Sequence, residues 1–194
     1  MQNAVPVGVG AMAAILGLPY SDLVEITKQA ASNGVCQAAN DNDPSQVVVS
    51  GHKGAVERAI EIAKEAGAKR AILLPVSAPF HSELMAPASL EMKDALSTIA
   101  IIEPTIPLVS NVRAQAVRLP AEIRNLLVEQ VTGVVRWRES IEWMAKNGVT
   151  EMLEVGAGRA LSGMVRRINR SISCASASNP DEVTKVILSQ SEIR

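Results

Sequence analysis

The chain has 194 residues, is 47% hydrophobic and 20% charged, and carries a formal net charge of −1. That length supports one large domain or two small ones with real cores, and the charge balance excludes the broad basic footprint of a nucleic-acid binder. With aromatics at only 2%, the core has to be built from Val, Ile, Leu, Met and Ala.

The first third predicts a β-α-β-β-α-β order. Residues 8–16 form a small-residue apolar strand. Pro19-Tyr20 makes a turn and Ser21 is the expected N-cap of a helix over 22–32, with Leu23, Ile26, Thr27 and Ala30 on one face and Asn33-Gly34 stopping it. A short strand follows over 35–39, and the run from Asn40 to Ser45 is a turn signal. Residues 46–51 are a β-branched strand. From Lys53 to Ala66, Val56, Ala59, Ile60, Ala63 and Ala66 repeat at helical spacing, Gly67 ends that helix, and 70–74 is a further strand. This order is the ferredoxin-like split motif.

The chain then runs Leu73-Leu74-Pro75-Val76-Ser77-Ala78-Pro79-Phe80-His81-Ser82. Pro75 and Pro79 fix φ and bias Leu74 and Ala78 toward extended backbone, so His81 sits on a stiff segment at a strand end. Such a mount suits a general base. By spacing alone, the other reading is a surface or core histidine with no chemical duty. A helix is expected over 84–99, a short strand over 106–112 with Pro107 at its start or on an edge, a helix from Pro120 to Gln130, and an amphipathic helix over 137–146. A strand over 149–155 runs into Gly156-Ala157-Gly158, followed by a helix over 160–168 and a last strand over 171–176. Asn179-Pro180-Asp181-Glu182 reads as a capping box. Strands alternating with helices imply a mostly parallel sheet.

Other motifs are weaker. Gly51-His52-Lys53-Gly54 has neither the length nor the Ser/Thr of a phosphate loop, which leaves His52 as a polar residue at a helix start. Gly156-Ala157-Gly158 lacks the third fingerprint glycine, since Leu161 stands at that spacing, and is read as a tight strand-to-helix turn whose glycines allow close packing. Arg166, Arg167 and Arg170 near a helix end are either a solvated face or a contact for a phosphate-rich partner. Cys36 and Cys174 have no metal-ligand spacing and read as reduced thiols of a cytoplasmic protein. No apolar run approaches a membrane span, and Met1 is not followed by signal-peptide features. Neither cofactor nor metal is expected.

Four stretches carry a resemblance: Gly10 to Gly17, Asn40 to His52, Pro75 to His81, and Glu154 to Gly158. In order and spacing they are similar to bacterial malonyl-CoA:acyl carrier protein transacylases along nearly the whole chain. The resemblance implies an α/β fold: a ferredoxin-like small subdomain over residues 1–77, then the C-terminal part of a large α/β-hydrolase-like parallel-sheet subdomain over 78–194. It implies acyl transfer in two halves, from malonyl-CoA to a serine and from the serine to the pantetheine thiol of acyl carrier protein. His81 matches the family's catalytic histidine, and Gln130 the glutamine whose backbone carbonyl orients it. Phe80, before His81, matches a residue that accompanies malonyl selectivity in related acyltransferases.

One departure is serious. The family's nucleophile lies in a Gly-His-Ser-x-Gly elbow, and no such motif occurs in these 194 residues. The arginine that pairs with the malonyl carboxylate and the oxyanion-hole donors are expected before Met1. The chain alone is therefore expected to be inactive, with the rest of the enzyme or self-association covering its open surface. Its partners are malonyl-CoA and acyl carrier protein, with no nucleic acid and no membrane. The alternative is a non-catalytic, stand-alone ferredoxin-like module that binds a ligand or partner.

Overall fold

The structure is a computed structural model and describes residues 4–191; the first three and last three residues of the two expected domains lie outside it. The chain divides into two compact units, Met1–Ser140 and Ile141–Arg194.

The first unit opens with strand β1 (Gly10–Leu16), helix α1 (Tyr20–Ala31), strands β2 (Cys36–Asp43) and β3 (Gln46–His52), helix α2 (Lys53–Glu65) and strand β4 (Arg70–Leu73). The four strands form one antiparallel sheet in the order β2-β3-β1-β4. Alternation along β1 divides the sheet's two faces. Ala13 and Ile15 pack with Leu23, Ile26, Val56 and Ala59 beneath α1 and α2. Met12 and Ala14 join Ala39 and Val48 on the opposite face, where Leu74 and Phe80 cover them.

Two local expectations fail for physical reasons. Ser21 is not the cap of α1: the N-cap is Pro19, and the Ser21 hydroxyl donates to Asp22 instead. The Asn40–Ser45 turn signal is confined to Pro44-Ser45, because β2 runs on to Asp43. Its two carboxylates are tolerated in the strand because each finds a partner. Asp41 is 1% exposed and ion-paired with Arg138, its amide donates to Val135, and Asp43 accepts from both the amide and the hydroxyl of Ser45. Register shifts after Ala38 and after Asp41 absorb the irregular pairing.

The unit continues with a short 3-10 turn (Glu83–Met85), helix α3 (Ala86–Ser97), the small hairpin β5 (Leu108–Val109) and β6 (Ala116–Val117), and helix α4 (Pro120–Glu129). The strand expected over 106–112 keeps only two residues, since Ser110 to Gln115 close a tight hairpin with Ala114 at φ 53. Helix α5 (Trp137–Lys146) crosses the boundary between the units.

The second unit holds β7 (Glu151–Val155), α6 (Ala160–Ile168), β8 (Ser173–Ala177) and α7 (Pro180–Ser191). β7 and β8 are parallel and pair from Glu151↔Ser173 to Val155↔Ala177. At the β7–α6 turn Gly156 and Gly158 have φ 135 and 89, and a Cβ on either meets nothing within 4 Å among the described residues. The glycines serve the left-handed backbone rather than close packing. At α7, Asn179 accepts from the Glu182 amide, but Glu182 accepts from Ser178 and not from the Asn179 amide, so the cap is one residue wider than a capping box.

Candidate functional site

The segment bearing His81 is seated on β1. The Leu74 amide donates to Met12 and the Val76 amide turns back to Leu74. Pro79 is fully buried against Gly10, where an added Cβ would stand 2.4 Å from the proline ring. Gly10 is thus the gap into which the proline fits. Ser82, 0% exposed, donates from its hydroxyl to the Pro79 carbonyl at 2.7 Å and caps the turn. The Glu83 amide donates to Gln37 Oε1 on β2 at 2.8 Å. Held on both sides, His81 takes φ 58, a left-handed conformation uncommon for a residue with a Cβ and characteristic of functional sites.

The half-buried His81 ring lies with Nδ1 2.8 Å from the backbone carbonyl of Gln130. A carbonyl only accepts, so Nδ1 carries the proton and Nε2 presents its lone pair. Gln130 is the C-cap of α4, and the amides of Val131, Thr132 and Gly133 turn back to Val128 and Glu129. The imidazole therefore meets the C-terminal carbonyl end of a helix, which favours positive charge. Phe80, half-buried, packs between the Met12–Val48 cluster and a second cluster of Val5, Ala78, Met85, Ala88 and Val131.

Sequence reasoning missed the residues around this pair. Asn111 Nδ2 donates to Gln130 Oε1 at 3.0 Å, and the Asn111 carbonyl accepts from the Arg136 amide at 2.9 Å. Next to Arg136, Val135 makes a parallel bridge to Asn40 on β2. Arg138 clamps Asp41 through Nη2 at 2.8 Å and Nε at 3.1 Å. Beside them the Arg136 guanidinium pairs with Glu139 and, chiefly through that hydrogen bond, holds its carboxyl below the usual range. The Tyr20 phenol is pushed up, first by burial and then by Asp41 and Glu139. A turn-forming Asn was the one signal for Asn111, and it says nothing about a partner 19 residues away.

His52 is a different kind of histidine. It is the N-cap residue of α2, and its Nδ1 accepts from the Val35 amide at 2.8 Å. Its proton is therefore on Nε2, the opposite tautomer from His81.

In the second unit, Arg166, Arg167 and Arg170 are exposed and edge a cleft of about 500 Å³. Among the described residues no group of His, Cys, Asp and Glu is placed to hold a metal ion, and no helix is long and apolar enough to cross a membrane.

No protein-family model matches the chain. The malonyl CoA-acyl carrier protein transacylase of Bacillus subtilis is 44% identical over 188 residues, 96% of this chain and 59% of the relative. The crystal structure of the acyl-carrier-protein-S-malonyltransferase from Bartonella henselae superposes with a TM-score of 0.92 at 49% identity, over 96% of this chain and 59% of that one. Over nearly its whole length the chain is similar to malonyl CoA-acyl carrier protein transacylases. It spans about three-fifths of the length of the curated relatives it matches. A malonyl-transacylase solved in complex with its type II PKS acyl-carrier protein is similar at a TM-score of 0.93 and 38% identity, over 97% of this chain and 61% of that one.

Proposed function

We propose that the chain supplies the general base of a transacylase that moves a malonyl group from malonyl-CoA to the pantetheine thiol of acyl carrier protein. The observation that carries this reading is the His81 Nδ1 to Gln130 carbonyl bond at 2.8 Å, which leaves Nε2 as an acceptor. In the first half-reaction Nε2 takes the proton of an elbow serine as its oxygen attacks the malonyl thioester, and returns it to the departing coenzyme A thiol. In the second half Nε2 takes the proton of the pantetheine thiol as its sulfur attacks the malonyl-serine, and gives it back to the serine. The imidazolium formed in each half faces the Gln130 carbonyl, which replaces the carboxylate of a three-residue triad.

By the family resemblance, the serine, the carboxylate-binding arginine and the oxyanion donors belong to the two-fifths of the relatives that this chain does not match. Residues 1–77 are the ferredoxin-like small subdomain, a reading supported by the β2-β3-β1-β4 order. Residues 78–194 contribute to the large α/β-hydrolase-like subdomain. Phe80 limits the acyl group by leaving no space for a branching methyl beside the thioester. The cytoplasm, where both thioesters are met, is the proposed location.

The test is covalent. Incubated with malonyl-CoA, the 194-residue chain should show no mass addition, whereas the chain completed with the relatives' remaining segment should gain one malonyl group. A stable adduct on any serine of this chain would overturn the reading.

A further inference from the structure

We propose that Asn111 is a positioning residue for His81, acting through the Gln130 side chain; the inference rests on the His81–Gln130 pair of the proposed function. The carbonyl that holds the ring belongs to the C-cap residue of α4, one past Glu129, and the peptide plane it shares with the Val131 amide is held by a single 3.2 Å bond from that amide to the Val128 carbonyl. A second hold comes from the other end of the same residue. Gln130 Oε1 accepts from Asn111 Nδ2 at 3.0 Å. Asn111 is itself pinned, because its carbonyl accepts from the Arg136 amide, and Val135 before it exchanges backbone bonds with Ala39 and Asp41 of β2. Gly133 makes room for this arrangement, since a Cβ there would stand 2.8 Å from Val112.

The histidine is referenced to the same strand from the other side. The amide of Glu83, two residues after His81, donates to Gln37 Oε1 on β2. Ring and carbonyl are therefore each measured from β2, one through Gln37 and the other through Val135, Arg136, Asn111 and Gln130. Removing Asn111 cuts the second route while leaving both members of the pair in place.

The chain has two histidines, and they occupy opposite tautomers, so His52 is an internal control. The experiment is a long-range proton–nitrogen correlation spectrum of the 15N-labelled full chain at about pH 9, where histidine rings are neutral. In the unsubstituted chain the Nδ1–H form of His81 should exceed the other by about tenfold, the worth of one good hydrogen bond. Asn111→Leu should bring the two forms to within about twofold, with His52 unchanged. Asn111→Asp should restore the excess, because the Gln130 amide can donate to the new carboxylate.

An unchanged His81 ratio in Asn111→Leu overturns the inference and leaves the His81–Gln130 pair standing. Should that substitution also disturb His52, Gln130→Ala decides: it keeps the backbone carbonyl and removes the side-chain amide that Asn111 holds, and an unchanged His81 ratio there overturns the inference as well. If the unsubstituted chain lacks the Nδ1–H form, it is the proposed function that fails.

Discussion

His81 and His52 show how one residue type serves two purposes by the identity of its partner. His81 donates to a carbonyl from a left-handed backbone position; His52 accepts from an amide at a helix start. Their substitutions should separate accordingly. On the proposed function, His81→Ala in the chain completed with the relatives' remaining segment should lower acyl transfer by about two to four orders of magnitude, the usual loss with a general base. His52→Ala should leave transfer within a small factor of normal and cost about 1 kcal/mol of stability, the net worth of one half-buried hydrogen bond. Steady-state rates and urea unfolding read on the same two proteins check both statements. If the two substitutions behaved alike in rate, the base would be misassigned.

At the scale of elements, the site depends on two junctions. The first is the seat of Pro79 on Gly10. A methyl group at position 10 would lie 2.4 Å from the proline ring, and Pro79 is fully buried with no room to move aside. Gly10→Ala should cost about 2 kcal/mol by overpacking and shift the backbone signals of residues 78–82 more than those of α1. The second junction is the Asp41–Arg138 pair, which ties β2 to the start of α5. Arg138→Met removes the cation hydrogen-bonded to a carboxylate that is 1% exposed and should lower stability by about 3 kcal/mol. A lower urea midpoint at unchanged slope is the expected reading, and no change in midpoint would refute it.

These junctions also mark where legibility in the sequence ends. Helices α1, α2, α4, α5 and α6 were readable because each carries a periodic apolar face bounded by Gly, Asn or Pro. The His81 segment was readable because two prolines stiffen it. The strand character of residues 40–43 was hidden, because their polar side chains look like a turn until Arg138, 97 residues on from Asp41, is known to meet them. Asn111 was hidden for the same reason. Its role comes from a hydrogen bond across 19 residues, and periodicity carries no information about such pairs.

For the molecule as a whole, the two units differ in how completely each covers its own sheet. In the first, β1 and β3 are paired on both edges, and α1 and α2 bury Ala13, Ile15, Val47 and Val49. In the second, β7 and β8 form a two-stranded parallel sheet, with Leu153 41% and Val155 71% exposed. Parallel strands are stable when both faces are covered, and two strands alone bury too little to offset the entropy of ordering them. Protection from hydrogen exchange should follow this difference. Amides of residues 10–16 and 46–52 should exchange at the slowest, near-global rate, independent of protein concentration. Amides of residues 151–155 and 173–177 should exchange orders of magnitude faster in dilute solution. They should slow as concentration rises, because self-association is one way to cover apolar surface of this kind. Addition of the segment that completes the relatives should slow them at any concentration. Equal and concentration-independent protection of the two strand pairs would mean that the second unit closes its own sheet, and that its exposed valine and leucine wait for no partner strand.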